Sequence, residues 1–293
     1  MDVVEVKQAC EAHYGLVDSP FSLTPDTGYY VEMPSHDDAF ESVLYGLTSG
    51  EGFIKVTGEV GTGKTLLCRR LLNHLANDKI ATAYIPNPTL SPTALWVAIG
   101  AEIGLTGYQR LSQLRNDIQS YLVNLAKGNN RLVLVIDEAQ CLPADTLEAL
   151  RLISNLETER QKLIQIVLFG QPELNEIIDR TEFRQLKQRI TTSAELKTID
   201  SPETIARYLN HRMSFAGYSG GPLFTKSAVR RLWICSQGTP RLINALASKA
   251  LLVAFGQGVA TINVEHVEAA ASDTEGAFHD ISWRERIRHV IGL

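Results

Sequence analysis

Cysteine is scarce in this chain and never paired. Its four cysteines, Cys10, Cys68, Cys141 and Cys235, lie far apart and form no C-x-x-C, so neither a zinc site nor a disulfide framework is expected and a reducing compartment is. No apolar run approaches the roughly 18 residues needed for a membrane-spanning helix. The N-terminus carries Asp2, Glu5 and Lys7 in place of a basic region followed by an apolar stretch, so no signal peptide is expected. Positive charge is not in excess either: 28 Lys and Arg against 33 Asp and Glu leave a net charge of -5. That balance argues against a whole-surface nucleic-acid binder and leaves local basic patches open. Internal repeats and low-complexity stretches are absent. The expected location is the cytoplasm, with any membrane attachment peripheral or through a partner.

What remains is an ordinary globular composition, 44% hydrophobic and 21% charged over 293 residues, long enough for about two domains. Residues 12 to 28 are dense in turn formers with isolated aromatics and read as an extended segment, Tyr14 and Phe21 being open to stacking near a nucleotide base or to ordinary packing. Helical spacing predicts helices at 36 to 47, at about 93 to 103, and along Leu111, Leu114, Ile118, Leu122 and Leu125. Strands are expected at 80 to 85, 132 to 136 and 163 to 169; the aliphatic run Leu132-Val133-Leu134-Val135-Ile136 has the composition of a strand buried on both faces. Strands alternating with helices predict an α/β fold, a parallel sheet with helices on both faces, over residues 1 to 198. Beyond Ser201 helical segments take over, at about 202 to 216, 225 to 236, 240 to 255 and 263 to 272, predicting a small all-α domain over 199 to 275.

The chemistry begins at residues 52 to 65, where an apolar strand runs into Gly58-Glu59-Val60-Gly61-Thr62-Gly63-Lys64-Thr65. This is the G-x-x-x-x-G-K-[ST] pattern of a phosphate-binding loop. Gly58, Gly61 and Gly63 are expected to let the backbone turn its N–H groups toward an anion. Lys64 is placed to reach the β and γ phosphates, the Thr65 hydroxyl to take a Mg²⁺ position, and the helix opening at Leu66 to add its N-terminal dipole. The second motif ends the aliphatic strand: Asp137-Glu138 stands at the carboxyl end of a parallel strand, where open α/β sheets bind ligands. Asp137 would hold Mg²⁺ opposite Thr65, and Glu138 would orient and activate the attacking water of an in-line phosphoryl transfer.

With both motifs in hand the sequence resembles the AAA-plus ATPases, and within them the ExeA/GspA-like secretion ATPases. The resemblance rests on Tyr14-Gly15-Leu16 with Pro20 to Asp26, on Thr57 to Thr65, on Ile136-Asp137-Glu138-Ala139-Gln140, and on Phe169-Gly170-Gln171-Pro172-Glu173-Leu174. It covers about residues 12 to 272. ExeA-type chains continue into a membrane span and a peptidoglycan-binding region, so the MshM type of MSHA pilus biogenesis is the nearer expectation. The resemblance implies an AAA-type fold with a P-loop (Walker A) and a Walker B acidic pair, with ATP and Mg²⁺ as cofactors. It also implies a homo-oligomer and partners in pilus or secretion machinery at the inner membrane. It further implies that Gln171 senses the γ-phosphate, that Arg241 in Gly238-Thr239-Pro240-Arg241 is a second sensor, and that Arg189 is an arginine finger, with Arg184 as competitor.

His13 and His36 read as hydrogen-bonded residues without metal spacing, and Arg230-Arg231 as a solvated helix face. Residues 276 to 293 form a basic amphipathic tail, suited to a neighbouring subunit, a partner groove or an anionic membrane surface. The function expected is ATP hydrolysis that drives pilus or secretion assembly. The alternatives are an ATP-dependent nucleic-acid partner and a nucleotide-gated scaffold with negligible turnover.

Overall fold

The computed structural model describes residues 3–23, 27–157 and 162–278; residues 279 to 293 of the expected amphipathic tail lie outside them. In chain order the elements are α1 (Val3–His13), α2 (Pro34–Thr48), β1 (Phe53–Gly58), α3 (Lys64–Asn77), β2 (Ala81–Ile85), α4 (Pro92–Glu102), α5 (Leu111–Lys127) and β3 (Leu132–Ile136). There follow α6 (Ala144–Ile153), β4 (Ile164–Gly170), α7 (Glu173–Ile178), α8 (Arg184–Lys187), β5 (Ile190–Leu196), α9 (Pro202–Phe215), α10 (Lys226–Ser236), α11 (Pro240–Gly256) and α12 (Val264–Ser272). The described residues divide into two compact units, one within 34–197 and a second formed by those up to 33 with those from 198 to 278.

The first unit is the α/β layer structure expected from the alternating pattern. Its strands pair in parallel in the order β2-β3-β4-β1-β5. β3 and β4 are buried at every residue, whereas β5, at an edge, alternates half-buried and exposed positions, as a strand with one covered face must. Alternate residues sort the two cores. Leu132, Leu134, Ile136, Ile164, Ile166 and Leu168 pack with Leu95, Ile99, Leu114, Ile118, Leu147 and Leu150 from α4, α5 and α6. Val133, Val135, Val167 and Phe169 pack with Val43, Leu47, Leu67 and Leu71 from α2 and α3 on the opposite face. Truncating one such side chain to alanine costs about 2–5 kcal/mol. This order sets the carboxyl end of β4 between those of β1 and β3, so the residues following the three strands converge on one edge of the sheet.

The second unit is helical, and it takes in the N-terminal segment that the sequence pattern assigns to the α/β domain. Tyr14, Phe21, Val31 and Met33 are buried in one core with Ile205, Leu209, Leu232, Ile243 and Leu246. The Tyr14 hydroxyl donates to the Leu251 carbonyl, and the buried Arg212 guanidinium donates to the Pro20 carbonyl at 2.6 Å. Tyr14 and Phe21 are therefore packing residues of this core, Phe21 meeting Phe224 edge to face. α1, too, was not apparent from the apolar spacing. Arg231 is not solvated like its neighbour Arg230: it pairs with Glu268 at 3.4 Å on a half-buried face. At Gly238 the backbone has φ +72° and a Cβ would stand 2.0 Å from the Ile199 carbonyl oxygen, so glycine is required before α11. Among the described residues no helix is long and apolar enough to cross a membrane.

Candidate functional site

β1 is buried through Val56, Thr57 and Gly58, and the chain then turns so sharply that α3 begins at Lys64. The turn depends on its glycines in two ways. Gly61 and Gly63 have φ of 81° and 102°, in the left-handed region that favours glycine. Gly58 does not, contrary to the expectation from the motif. It is needed for space, since a Cβ there would meet Thr62 Oγ1 at 2.8 Å and the Leu196 carbonyl at 3.0 Å. Of the remaining loop residues, Thr62 is buried and bonded back to Glu59, whereas Val60 is exposed. Leu66 lies in the first turn of α3. The first N–H groups of a 14-residue helix have no intrahelical partners, so they and the helix dipole favour an anion there.

Lys64 and Thr65 open that helix on the side of the sheet edge. The Lys64 ammonium, with only 6% of the residue exposed, donates to the carbonyls of Gly58 at 2.6 Å and Glu59 at 2.9 Å. Burial pushes its pKa down against the upward pull of Glu138, Asp137, Glu59 and Glu173. The Thr65 hydroxyl donates to Asp137 Oδ2 at 2.9 Å, joining the first turn of α3, after β1, to the end of β3. Asp137 is buried, its other oxygen accepts the Glu138 N–H at 2.9 Å, and burial raises its pKa although both hydrogen bonds and Lys64 lower it. Thr65 and Asp137 are therefore paired, hard oxygen donors, a set that suits Mg²⁺.

Glu138 adopts a left-handed backbone, φ 51°, costly for a residue with a Cβ. Its carboxylate oxygen Oε2 accepts from Gln140 Nε2 at 2.6 Å and from Gln171 Nε2 at 3.3 Å. Gln171, directly after β4, is thus beside Glu138. These residues form one constellation, and the loop, lysine and oxygen pair fit a nucleotide triphosphate with its metal. Arg241 is placed differently: it is exposed in the first turn of α11 in the other unit. Arg189 is engaged within its own chain, donating through Nη1 to the Arg151 carbonyl at 3.2 Å and to Ser154 Oγ at 2.8 Å at the end of α6. Arg184 is exposed, and its side chain makes no hydrogen bond or ion pair among the described residues.

His36 also belongs to this site, beyond the general hydrogen-bonded role its isolation suggested. It is 1% exposed and its Nε2 lies 2.7 Å from the Thr62 carbonyl. A carbonyl only accepts, so Nε2 carries the proton and Nδ1 accepts from Ser35 Oγ at 3.2 Å. The ring also lies where a Cβ on Gly63 would be only 3.0 Å from Nε2. A helix N-terminus beside a glycine-rich loop was the available signal, and it is a weak one.

The class of fold is that of the AAA-type P-loop proteins, and residues 47–178 match the family model described as AAA domain. A solved structure of Cdc6p from Pyrobaculum aerophilum is similar at TM-score 0.66 and 20% identity, covering 88% of this chain and 71% of that one. RuvB from Thermotoga maritima is similar at TM-score 0.55 and 16% identity, covering 83% and 69%. Among curated proteins, general secretion pathway protein A of Aeromonas hydrophila is 40% identical over 276 residues, 92% of this chain. The chain spans about half of that relative, 49% of its length. The AAA-type fold implies nucleotide binding.

His36 yields a pH test. Burial lowers its pKa below the ordinary 6.5, more than the Thr62 hydrogen bond and Asp37 raise it, with Arg70 adding to the decrease. As pH falls below 6.5 the unfolded chain takes up this proton before the folded one, so stability falls until pH reaches the folded-state pKa. His36→Gln retains an N–H donor and removes the titration. Thermal melts from pH 8 to 5 should show the wild type losing stability relative to the variant; a constant difference would contradict a buried, neutral His36.

Proposed function

We propose that the protein is a Mg²⁺-dependent ATPase of the GspA-like secretion type. The observation that carries this reading is the 2.9 Å hydrogen bond from Thr65 to Asp137 with Glu138 next in sequence. One edge of the sheet then holds a phosphate loop, a metal-binding oxygen pair and a general base. Bound Mg²⁺ would neutralise charge on the phosphates, and Thr65 and Asp137 would hold it. Lys64 is positioned to give up its loop carbonyls for phosphate oxygens, exchanging neutral acceptors for charged ones. Glu138 orients water for in-line attack through its carboxylate, and Gln171 fixes the same carboxylate from β4. The 40% identity to general secretion pathway protein A supports a role in secretion or pilus assembly, with partners at the inner membrane and a cytoplasmic location. The MshM type of pilus biogenesis is the finer assignment.

Binding and chemistry separate by mutation. Lys64→Ala removes a cation at the phosphates and should weaken ATP binding about 10- to 100-fold, the weight of a hydrogen bond to a charged group. Glu138→Gln should bind ATP like the wild type while losing about 10²–10⁴-fold in turnover. Equal turnover of Glu138→Gln and wild type under single-turnover conditions would remove the assignment of Glu138.

In an assembly of copies, the arginine reaching a neighbour's nucleotide must be free to leave its own subunit. The resemblance nominated Arg189, but its bonds to Arg151 and Ser154 tether α6, so the exposed Arg184 is the better supported finger. Arg184→Ala should lose on the order of 10³-fold in turnover with ATP binding intact, whereas Arg189→Ala should chiefly lower thermal stability. Mixing Arg184→Ala with Glu138→Gln subunits should partly restore hydrolysis; no recovery in verified mixed oligomers would count against action in trans.

A further inference from the structure

Gln140 is a residue to which the two phosphate motifs give no role. It lies in the short turn at Ala139–Cys141 that follows Glu138. Its side-chain amide is engaged at both ends. Gln140 Oε1 accepts the backbone N–H of Gln171 at 3.0 Å, and Nε2 donates to Glu138 Oε2 at 2.6 Å. The orientation of the amide follows from its partners, since a backbone N–H only donates and an ionised carboxylate only accepts. The gap it spans is narrow. A Cβ on Gly170, the last residue of β4, would stand 2.8 Å from Leu174 Cδ2 and 3.3 Å from Gln140 Oε1, so the amide and Leu174 both crowd the strand end.

The backbone of Glu138 is pinned as well, its N–H to Asp137 Oδ1 and its carbonyl to the Cys141 N–H, each at 2.9 Å. With the main chain fixed in a left-handed conformation, the remaining freedom is in the side chain. Two N–H donors, from Gln140 and Gln171, converge on the same carboxylate oxygen. Both bonds end on the same carboxylate oxygen, and the shorter one, to Gln140, is the stronger constraint.

We propose that Gln140 is a positioning residue for hydrolysis, a bridge that couples the Glu138 carboxylate to the end of β4 and fixes which of its oxygens faces water. This rests on the reading of Glu138 as the base. Holding Oε2 leaves Oε1 as the acceptor for a water proton, and a movement of the β4 end is transmitted to Glu138 through the Gln140 amide as well as through the longer bond from Gln171. A shorter or apolar residue at 140 would break the bridge without touching the phosphate loop. A glutamate at 140 would replace the donor by an acceptor facing another carboxylate.

The test is single-turnover ATP hydrolysis with excess full-length protein, alongside affinity for a fluorescent ATP analogue, for Gln140→Met, Gln140→Glu, Glu138→Gln and the double variant Glu138→Gln/Gln140→Met. Gln140→Met keeps length and volume; Gln140→Glu is a second near-isostere should the first fold poorly. Both should lose about 10- to 100-fold in the hydrolysis rate, the weight of a hydrogen bond to a charged group, with analogue affinity within about 2-fold of wild type. In the Glu138→Gln background Gln140→Met should add no further loss, because the carboxylate it positions is gone. Wild-type rates in both Gln140 variants beside an inactive Glu138→Gln would overturn the proposal and leave the ATPase reading standing. Lost analogue affinity, or an additive loss in the double variant, would make Gln140 structural and also overturn it. A Glu138→Gln protein as fast as wild type, or a wild type without hydrolysis, would sink the ATPase reading and this proposal with it.

Discussion

The hydrogen bond from Thr65 to Asp137 is the contact on which the site depends, because it joins the start of α3, which follows β1, to the end of β3, a strand that is not β1's neighbour. β4 separates β1 from β3 in the sheet, so the bond closes only if all three strands keep their register. Parallel pairing sets that register: Thr57 stands opposite Gly170, and Ile136 opposite Leu168. The aliphatic residues of β3 and β4 hold it, since a one-residue slip would exchange the two core faces of a strand. Packing in the sheet interior thus fixes the separation of two oxygens at its edge.

The same edge concentrates groups that cost stability. Lys64 and Asp137 are both buried, and burial shifts each pKa toward the neutral form. Glu138 takes a left-handed backbone, and His36 is a buried ring held by a single loop carbonyl and Ser35. Each feature opposes folding by about 1–3 kcal/mol or more, and the two hydrophobic layers offset them. Sites that break local rules in this way are where function is expected to lie. A lysine bonded to its own loop and an aspartate bonded to a threonine form a polar network in which every group already has a partner that a phosphate or a metal would replace.

Much of this was legible in the sequence for physical reasons. Leu132-Val133-Leu134-Val135-Ile136 reads as a strand because nothing in it tolerates water on either face, and the four helices after Ser201 carry an unbroken 3.6 period. The P-loop and the acidic pair are legible because each residue type is tied to a single chemical task. Less legible was anything set by contacts between distant segments. Tyr14 and Phe21 are aromatic whichever core they join, so local pattern does not reveal that they pack with Leu251 and Phe224. Gly58 is crowded by Thr62 within its own loop and by Leu196, far along the chain. The partners of Arg189 at the end of α6 are equally distant in sequence, and a finger and a helix tether look alike there. His36 and Gln140 have no motif spacing of their own, and their roles emerge only when Thr62 and Gln171 are brought beside them.

The central claim is that Thr65 and Asp137 form a prepared metal position beside the phosphate loop. The most direct measurement is calorimetric titration of ATP into wild-type and Asp137→Asn protein, each with Mg²⁺ and with EDTA. The account predicts at least about 10-fold tighter ATP binding with Mg²⁺ in the wild type, the size of one charge-assisted contact. In Asp137→Asn most of that difference should vanish while metal-free affinity is retained. The same Mg²⁺ enhancement in both proteins would contradict it.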